Sequence, residues 1–162
     1  GFLNVYSEPG EGTTFRVYLP IHAAGLLEER RQAIETIQPG SGETLLVVED
    51  EASILKLIER VLSKNNYRVL TAQTPSEALH KAATHEGVIS LLLTDVVMPE
   101  MNGRELSEKL TTLYPGLRCL YMSGYTANII AHRGVLDKGF HFIPKPFSTG
   151  DLTAKVRKVL DE

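Results

Sequence analysis

The sequence predicts an α/β fold: a doubly wound (βα)5 parallel sheet with helices on both faces, preceded by a β-hairpin and a helical linker. From Glu43 onward, five short β-rich apolar runs alternate with amphipathic stretches of helical period. Those runs are continuously apolar, as strands buried on both faces are. Residues 1–20 instead alternate apolar and polar on either side of a Pro-Gly-Glu-Gly turn, the period of a hairpin.

In chain order, Leu3 and Val5 share one face of the first strand, and Phe15, Val17 and Leu19 repeat the period of two after the turn. A lone hairpin is marginal in water unless a sheet takes it in. Residues 22–38 carry Leu26, Leu27, Ile34 and Ile37 at helical spacing, with Glu28, Glu29, Arg30 and Arg31 between them. "QPGSG" at 38–42 ends this pattern, so residues 21–42 read as a helical linker closed by a flexible joint, too short for a coiled coil. The strands of the main domain, residues 43–162, are "TLLVV" (44–48), "YRVLTA" (67–72), "SLLLT" (90–94), "LRCLYM" (117–122) and "FHFI" (140–143). Helices are predicted between and after them at 52–64, 75–85, 103–113, 126–133 and 148–160. The chain is inside a strand-like pattern within three residues of Gly1, so it reads as a piece cut from a longer protein.

Composition excludes several classes. With 162 residues, 43% hydrophobic and 23% charged, the chain is long enough for one well-cored domain plus an appendage. Its single cysteine, Cys119, excludes an internal disulfide framework and a Cys-rich metal site, and fits a reducing compartment. No run approaches the roughly 18 apolar residues of a membrane span, and no signal pattern opens the chain. The expectation is a cytoplasmic domain without direct membrane contact, which leaves any anchor to the rest of a longer parent. Residues 1–43 hold three Arg and six Glu, and residues 44–162 balance 14 basic against 14 acidic side chains. No basic stripe is present to neutralise phosphates, so nucleic acid is not an expected partner.

In an open sheet of this kind the ligand crevice lies outside the carboxyl ends of the strands. The residues there form a coherent set: Glu49, Asp50 and Glu51 after the first strand of the domain, Asp95 after the third, Ser123 after the fourth and Lys145 after the fifth. Gathered carboxylates repel one another, and each has its pKa raised unless a cation is supplied. Mg2+ meets that need with a few carboxylate oxygens, a carbonyl and retained waters. One carboxylate can then act as nucleophile toward phosphorus, giving an aspartyl-phosphate. Lys145 would hold a phosphoryl or carboxylate oxygen by a charge-assisted bond, and Ser123 would donate to another.

Each of these residues has a plainer reading. Acidic pairs after a strand often only favour a helix N-terminus, and a lone Asp after an apolar strand is often a turn or capping residue. The plain readings must all coincide at the strand ends to displace the joint one. His22, His80, His85, His132 and His141 show no metal spacing and read as surface or rim residues; Cys119 reads as a small buried hydrophobe. "GEG" at 10–12 is turn chemistry, because no helix start follows it.

"LLVVEDE", "LLLTDVVMPEMNG", "YMSGYT" and "KPF", in this order, resemble a response-regulator receiver domain over residues 43–162. The resemblance implies the flavodoxin-like strand order 2-1-3-4-5. It makes Asp95 the phosphoacceptor, Asp50 a direct Mg2+ ligand, Glu49 a ligand through water, and Val97 the donor of a backbone carbonyl. Ser123 takes the switch hydroxyl position, Phe142 the switch aromatic, and Lys145 the lysine of the motif. "SEPGEGTTFRVYLP" resembles the last hairpin of a histidine kinase ATP-binding domain, the arrangement of a hybrid sensor kinase. The boxes that bind ATP and the helix bearing a phosphorylated histidine are absent from the sequence, so the chain is not itself expected to be a kinase.

The same resemblance implies a phosphorelay role with two partners, the phosphohistidine domain of the parent chain and a histidine phosphotransfer protein. A homodimer through the surface of the fourth helix, fifth strand and fifth helix is a further implication. Several positions depart from the commonest pattern or tune it. Glu49 replaces Asp, Pro144 fits only an edge strand, and Lys145-Pro146 is expected to be cis. Val97 and Tyr125 flank the path of attacking water; one apolar and one bulky side chain there predict slow loss of phosphate. The rivals are a non-phosphorylated interaction module, a pseudo-receiver, and a Mg2+-dependent phosphatase. The latter would want an acid where Val97 stands.

Overall fold

The computed structural model describes residues 1–19, 38–124 and 141–162, and the chain divides into two compact units, Gly1–Thr36 and Ile37–Glu162. The predicted linker helix at 22–38 and the predicted helix at 126–133 lie outside the described residues, apart from Gln38.

In the first unit, β1 (Phe2–Glu8) and β2 (Gly12–Tyr18) pair antiparallel, with Leu3 opposite Val17 and Val5 opposite Phe15. Pro9 and Gly10 make the turn. Gly10 has φ 84°, and the Glu11 N–H donates to the Glu8 carbonyl at 3.1 Å, the pattern of a type II turn, which needs glycine at its third position. The rings of Phe2 and Tyr18 stack with centroids 4.3 Å apart. Every residue of both strands is exposed, so the described part of this unit shows no buried core.

The second unit is a parallel sheet with helices on both faces. Its elements are β3 (Thr44–Val48), α1 (Ala52–Lys64), β4 (Arg68–Ala72), α2 (Pro75–Thr84), β5 (Ile89–Asp95), α3 (Gly103–Leu113), β6 (Arg118–Ser123), β7 (His141–Pro144) and α4 (Thr149–Asp161). The strands lie in the order β4-β3-β5-β6-β7, which is 2-1-3-4-5 counted within the domain, and all neighbours are parallel. Pro144 is on the edge strand β7, where no further strand asks for its missing N–H.

Side-chain alternation explains why the central strands are apolar throughout. Leu45, Val47, Leu91 and Leu93 enter one cluster with Leu55, Ile58 and Leu62 of α1 and Leu152, Val156 and Val159 of α4. Leu46, Val48 and Leu92 enter the other, with Ala78 and Ala82 of α2 and Leu106 and Leu110 of α3. Each strand residue therefore has a buried partner layer on its own side, and truncating one such Leu to Ala costs about 2–5 kcal/mol.

Local chemistry sets the helix starts. Thr74 caps α2 by accepting the Glu77 N–H, with Pro75 in the first turn, and Asn102 caps α3 through Glu105. Ser148 and Asp151 form a reciprocal capping box at α4, so Ser148 is the cap of that helix rather than its first residue. Residues 40–42, read from composition as a flexible joint, are bonded into the domain. The Gly40 N–H donates to Asn65 O at 2.8 Å, Asn66 Nδ2 donates to Gly40 O at 2.7 Å, and the Gly42 N–H donates to Asn66 O at 3.1 Å. Among the described residues no helix is long and apolar enough to cross a membrane.

Candidate functional site

Strand register assembles the site. Val48 pairs with Thr94, Asp95 with Met122, and Ser123 with Pro144. The residues one step further along, Glu49 and Asp50, Asp95, Ser123 and Lys145, therefore meet at one edge of the sheet. Ladder-like bonds continue past the strand ends and fix this backbone: Glu49 N–H to Ala72 O at 3.1 Å, Val96 N–H to Met122 O at 2.9 Å, and Lys145 N–H to Ser123 O at 2.8 Å. Lys145-Pro146 is cis.

Glu49, Asp50 and Asp95 each place a carboxylate oxygen within 4.8 Å of the others, the one such acidic group among the described residues. The three differ in exposure. Glu49 is buried, Asp95 is partly buried and Asp50 is exposed. Lys145 Nζ donates to Glu49 Oε2 and to Asp95 Oδ2, both at 2.6 Å. It is a single ammonium shared between two carboxylates.

That sharing is unequal in its electrostatic result. Burial pushes the Glu49 carboxyl above its ordinary value; the bond and charge of Lys145 pull it back only in part, and the charges of Asp95 and Asp50 push it up again. Burial also pulls the Lys145 ammonium down, but its hydrogen bonds to Asp95 and Glu49 outweigh this and leave it above the usual lysine value. Glu49 is 2% exposed against 17% for Lys145, so the carboxylate bears the heavier desolvation while receiving half of one cation. Among the described residues the site is short of positive charge.

A hard divalent ion fits this donor set. It wants oxygen ligands, tolerates retained waters on the exposed Asp50 side, and would offset both the burial of the Glu49 charge and the added repulsion from Asp95 and Asp50.

The loop after β5 completes the surround. The Val97 N–H donates to Asp95 Oδ1 at 3.1 Å while the Val97 side chain is 55% exposed. Gly103, the last residue of "MPEMNG", has a role that composition could only call a turn. A Cβ there would lie 2.2 Å from the Asp95 carbonyl oxygen and 3.0 Å from Thr94 Cγ2, so α3 can start against the end of β5 only without a side chain. Its N–H donates to Val96 O at 3.0 Å and closes the loop.

Ser123 is buried at the end of β6, and Phe142 is half-buried on β7, in register with Tyr121. Tyr125 lies outside the described residues, as do His22 and His132. Cys119 is half-buried against the second cluster, and burial pushes its thiol up to about 11, far from a reactive thiolate. His141 Nε2 lies 3.3 Å from Glu162, a contact between the start of β7 and the residue after α4 that sequence spacing could not show. Nor could spacing reveal Arg157 gripping Glu43 at 2.8 Å across the base of the domain, or Ser76 reaching Glu100 at 2.7 Å.

The family model described as response regulator receiver domain matches residues 45–157. Sensor kinase CckA of Brucella abortus (strain 2308) is 34% identical over 100% of this chain and 18% of its own length. The aerobic respiration control sensor protein ArcB of Escherichia coli (strain K12) is 33% identical over 99% of this chain and 21% of its own. The response regulator receiver protein CpdR of Brucella abortus is 30% identical over 72% of this chain and 95% of its own. The chain thus spans about a fifth of the length of the sensor kinases it matches. Among solved structures, the receiver domain of hybrid histidine kinase CckA superposes with a TM-score of 0.62 at 32% identity, covering 72% of this chain and 98% of that one. A CheY-like receiver protein from Methanospirillum hungatei JF-1 gives 0.63 at 31% identity, covering 75% and 95%.

Proposed function

Because this chain belongs to the response regulator receiver domain family, we propose that it takes a phosphoryl group from a phosphohistidine onto Asp95. The observation that carries this reading is the convergence of Glu49, Asp50 and Asp95 with Lys145 at the carboxyl edge of the sheet. The chain is homologous to the receivers of hybrid kinases, and a pseudo-receiver without phosphoryl chemistry is not favoured.

In the proposed reaction an Asp95 carboxylate oxygen attacks phosphorus. The P–O bond forms as the P–N bond breaks, and the bonding pair returns to the imidazole nitrogen. Glu49, Asp50, Asp95 and the Val97 carbonyl would hold Mg2+, which when bound supplies charge neutralisation for the phosphoryl oxygens. Asp95 is ready as a nucleophile because Lys145 and the Val97 N–H fix its side chain through different oxygens. Lys145, now shared with Glu49, would follow the phosphoryl group, and Ser123 would donate its hydroxyl to it. Movement of these two groups toward the phosphoryl oxygens would couple the site to β6 and β7, and Phe142, half-buried on β7, would then move inward.

The segment of residues 1–20, which holds the β1-β2 hairpin, is proposed as the end of a histidine kinase ATP-binding domain in a longer parent. Alignments with the two sensor kinases run over 99–100% of this chain, hairpin included, whereas that with CpdR covers 72%. Its wholly exposed apolar strands suit a ribbon that belongs to a larger sheet. On this reading the phosphoryl donor is the phosphohistidine domain of that parent, and a histidine phosphotransfer protein is the next partner in the relay.

Incubation with Mg2+ and acetyl phosphate tests the reading. One base-labile phosphoryl group per chain, absent from Asp95→Asn, is the expected result. No adduct would refute it, and many turnovers per chain would favour a phosphatase.

A further inference from the structure

The loop 96–102 carries Val97, and both of its roots are fixed. The Val96 N–H and carbonyl bond Met122 and Gly103, the Val97 N–H bonds Asp95 Oδ1, and Met98 is buried in the second cluster. The tip is different. Glu100 has φ 69°, in the left-handed region that side chains other than glycine seldom adopt. The Met101 N–H donates to Pro99 O at 2.8 Å across it, a γ-turn, among the tightest reversals a chain makes.

A residue in that conformation persists only where its surroundings hold it. Part of the hold comes from Met101, which packs partly buried against the second cluster, and part from another element: Ser76 Oγ, exposed in the first turn of α2, donates to Glu100 Oε2 at 2.7 Å. Ser76 is itself well placed, since Thr74 caps the helix and Pro75 opens it. The Glu77 carboxylate accepts the Gln73 N–H at 2.8 Å and fixes the approach to the helix as well.

We propose that Ser76 is a positioning residue for the Asp95 site. Its hydrogen bond to Glu100 holds the loop 96–102 in the shape that keeps the Val97 backbone beside the carboxylate cluster. The inference rests on the receiver reading above, because it needs Val97 and Asp95 to serve one metal-binding reaction. Ser76 touches neither metal nor phosphoryl group, and its effect passes through Glu100 alone.

The test is a Mg2+ titration by calorimetry on the full chain, with amide exchange of the metal-free protein as a second readout. Ser76→Ala should weaken Mg2+ binding by about two- to tenfold, the range of one net hydrogen bond, and should speed exchange at Val97, Met98, Glu100 and Met101. Ser76→Thr, which keeps the hydroxyl, should restore both. In a Glu100→Gly background glycine holds the positive φ without a tether, and adding Ser76→Ala should change neither readout. Wild-type affinity and exchange in Ser76→Ala would overturn the proposal. So would an equal loss in the Glu100→Gly background, which would place the effect of Ser76 elsewhere. If the wild-type chain binds no Mg2+, the receiver reading fails, and the exchange result still decides whether Ser76 holds the loop.

Discussion

Replacing Gly103 with alanine sets two effects of opposite sign against each other. Gly103 opens α3, and alanine in a helix is favoured over glycine by about 1 kcal/mol. At this position, however, the added Cβ would stand 2.2 Å from the Asp95 carbonyl oxygen and 3.1 Å from its carbonyl carbon. Both are main-chain atoms of a strand that is bonded on each side, so no rotamer change relieves the overlap. Either α3 or the end of β5 must retreat by about 1 Å, and overpacking of this kind costs about 1–3 kcal/mol. With the upper part of that range for backbone contacts, net destabilisation is about 2 kcal/mol, or about 8 °C in melting temperature. The residue displaced is Asp95 itself, so phosphorylation by acetyl phosphate should also slow. Circular dichroism melts of Gly103→Ala and of Gly116→Ala form the assay. Gly116 has nothing within 4 Å of its would-be Cβ and should tolerate the change. A Gly103→Ala protein as stable as the wild type would refute the steric reasoning, since helix propensity would then have decided the outcome.

Three further outcomes follow from the same geometry. Glu43→Gln should destabilise the domain by about 1 kcal/mol at neutral pH, between the worth of exposed and buried pairs. Burial raises the Glu43 pKa, but the Arg157 hydrogen bond, the backbone N–H groups of Glu43 and Ser41 and the Arg157 charge together outweigh it and hold the carboxyl below its ordinary 4.5. The stabilisation is therefore complete above that value and lost as pH falls through the lower folded one, so urea melts of the two proteins should converge in acid. Glu49→Gln should raise the melting temperature of the Mg2+-free protein at neutral pH while weakening Mg2+ binding in calorimetry. The folded state raises the Glu49 pKa, so its charge opposes folding above the ordinary value and that opposition fades as pH falls. Val97→Asn should lose phosphate several-fold faster than the wild type in a time course of the adduct. The side chain there is exposed, and an amide at that position can orient water.

Much of this fold is legible in the sequence because its strands and helices obey a single period each. The stretch 52–64 was readable to the residue, since Leu55, Ile58 and Leu62 mark one face and the polar residues mark the other. "SLLLT" showed a doubly buried strand because Leu91, Leu92 and Leu93 serve opposite clusters in turn. The last strand was harder. A reading by propensity stops before Pro144, yet an edge position lets Pro144 pair with Ser123 on its one occupied side. At the site, the carboxylates, Ser123 and Lys145 were visible as strand-end residues. What stayed hidden was everything set by distance between elements. Lys145 divides itself between Glu49 and Asp95; Gly103 is required by an approach rather than by a turn; Ser76 and Glu100 meet 24 positions apart; and "QPGSG", flexible by composition, is held at Gly40 by Asn65 and Asn66. Pattern reports which face a residue takes, and only the packed chain reports what that face touches.

Asp95, among the three clustered carboxylates, is proposed to form the bond to phosphorus. Borohydride converts an acyl phosphate to an alcohol, so reduction of the Mg2+ and acetyl phosphate product followed by peptide mass mapping identifies the modified side chain. Homoserine at position 95, with Glu49 and Asp50 unmodified, is the expected result. Reduction at position 49 or 50, or a full phosphoryl adduct with Asp95 intact, would contradict it.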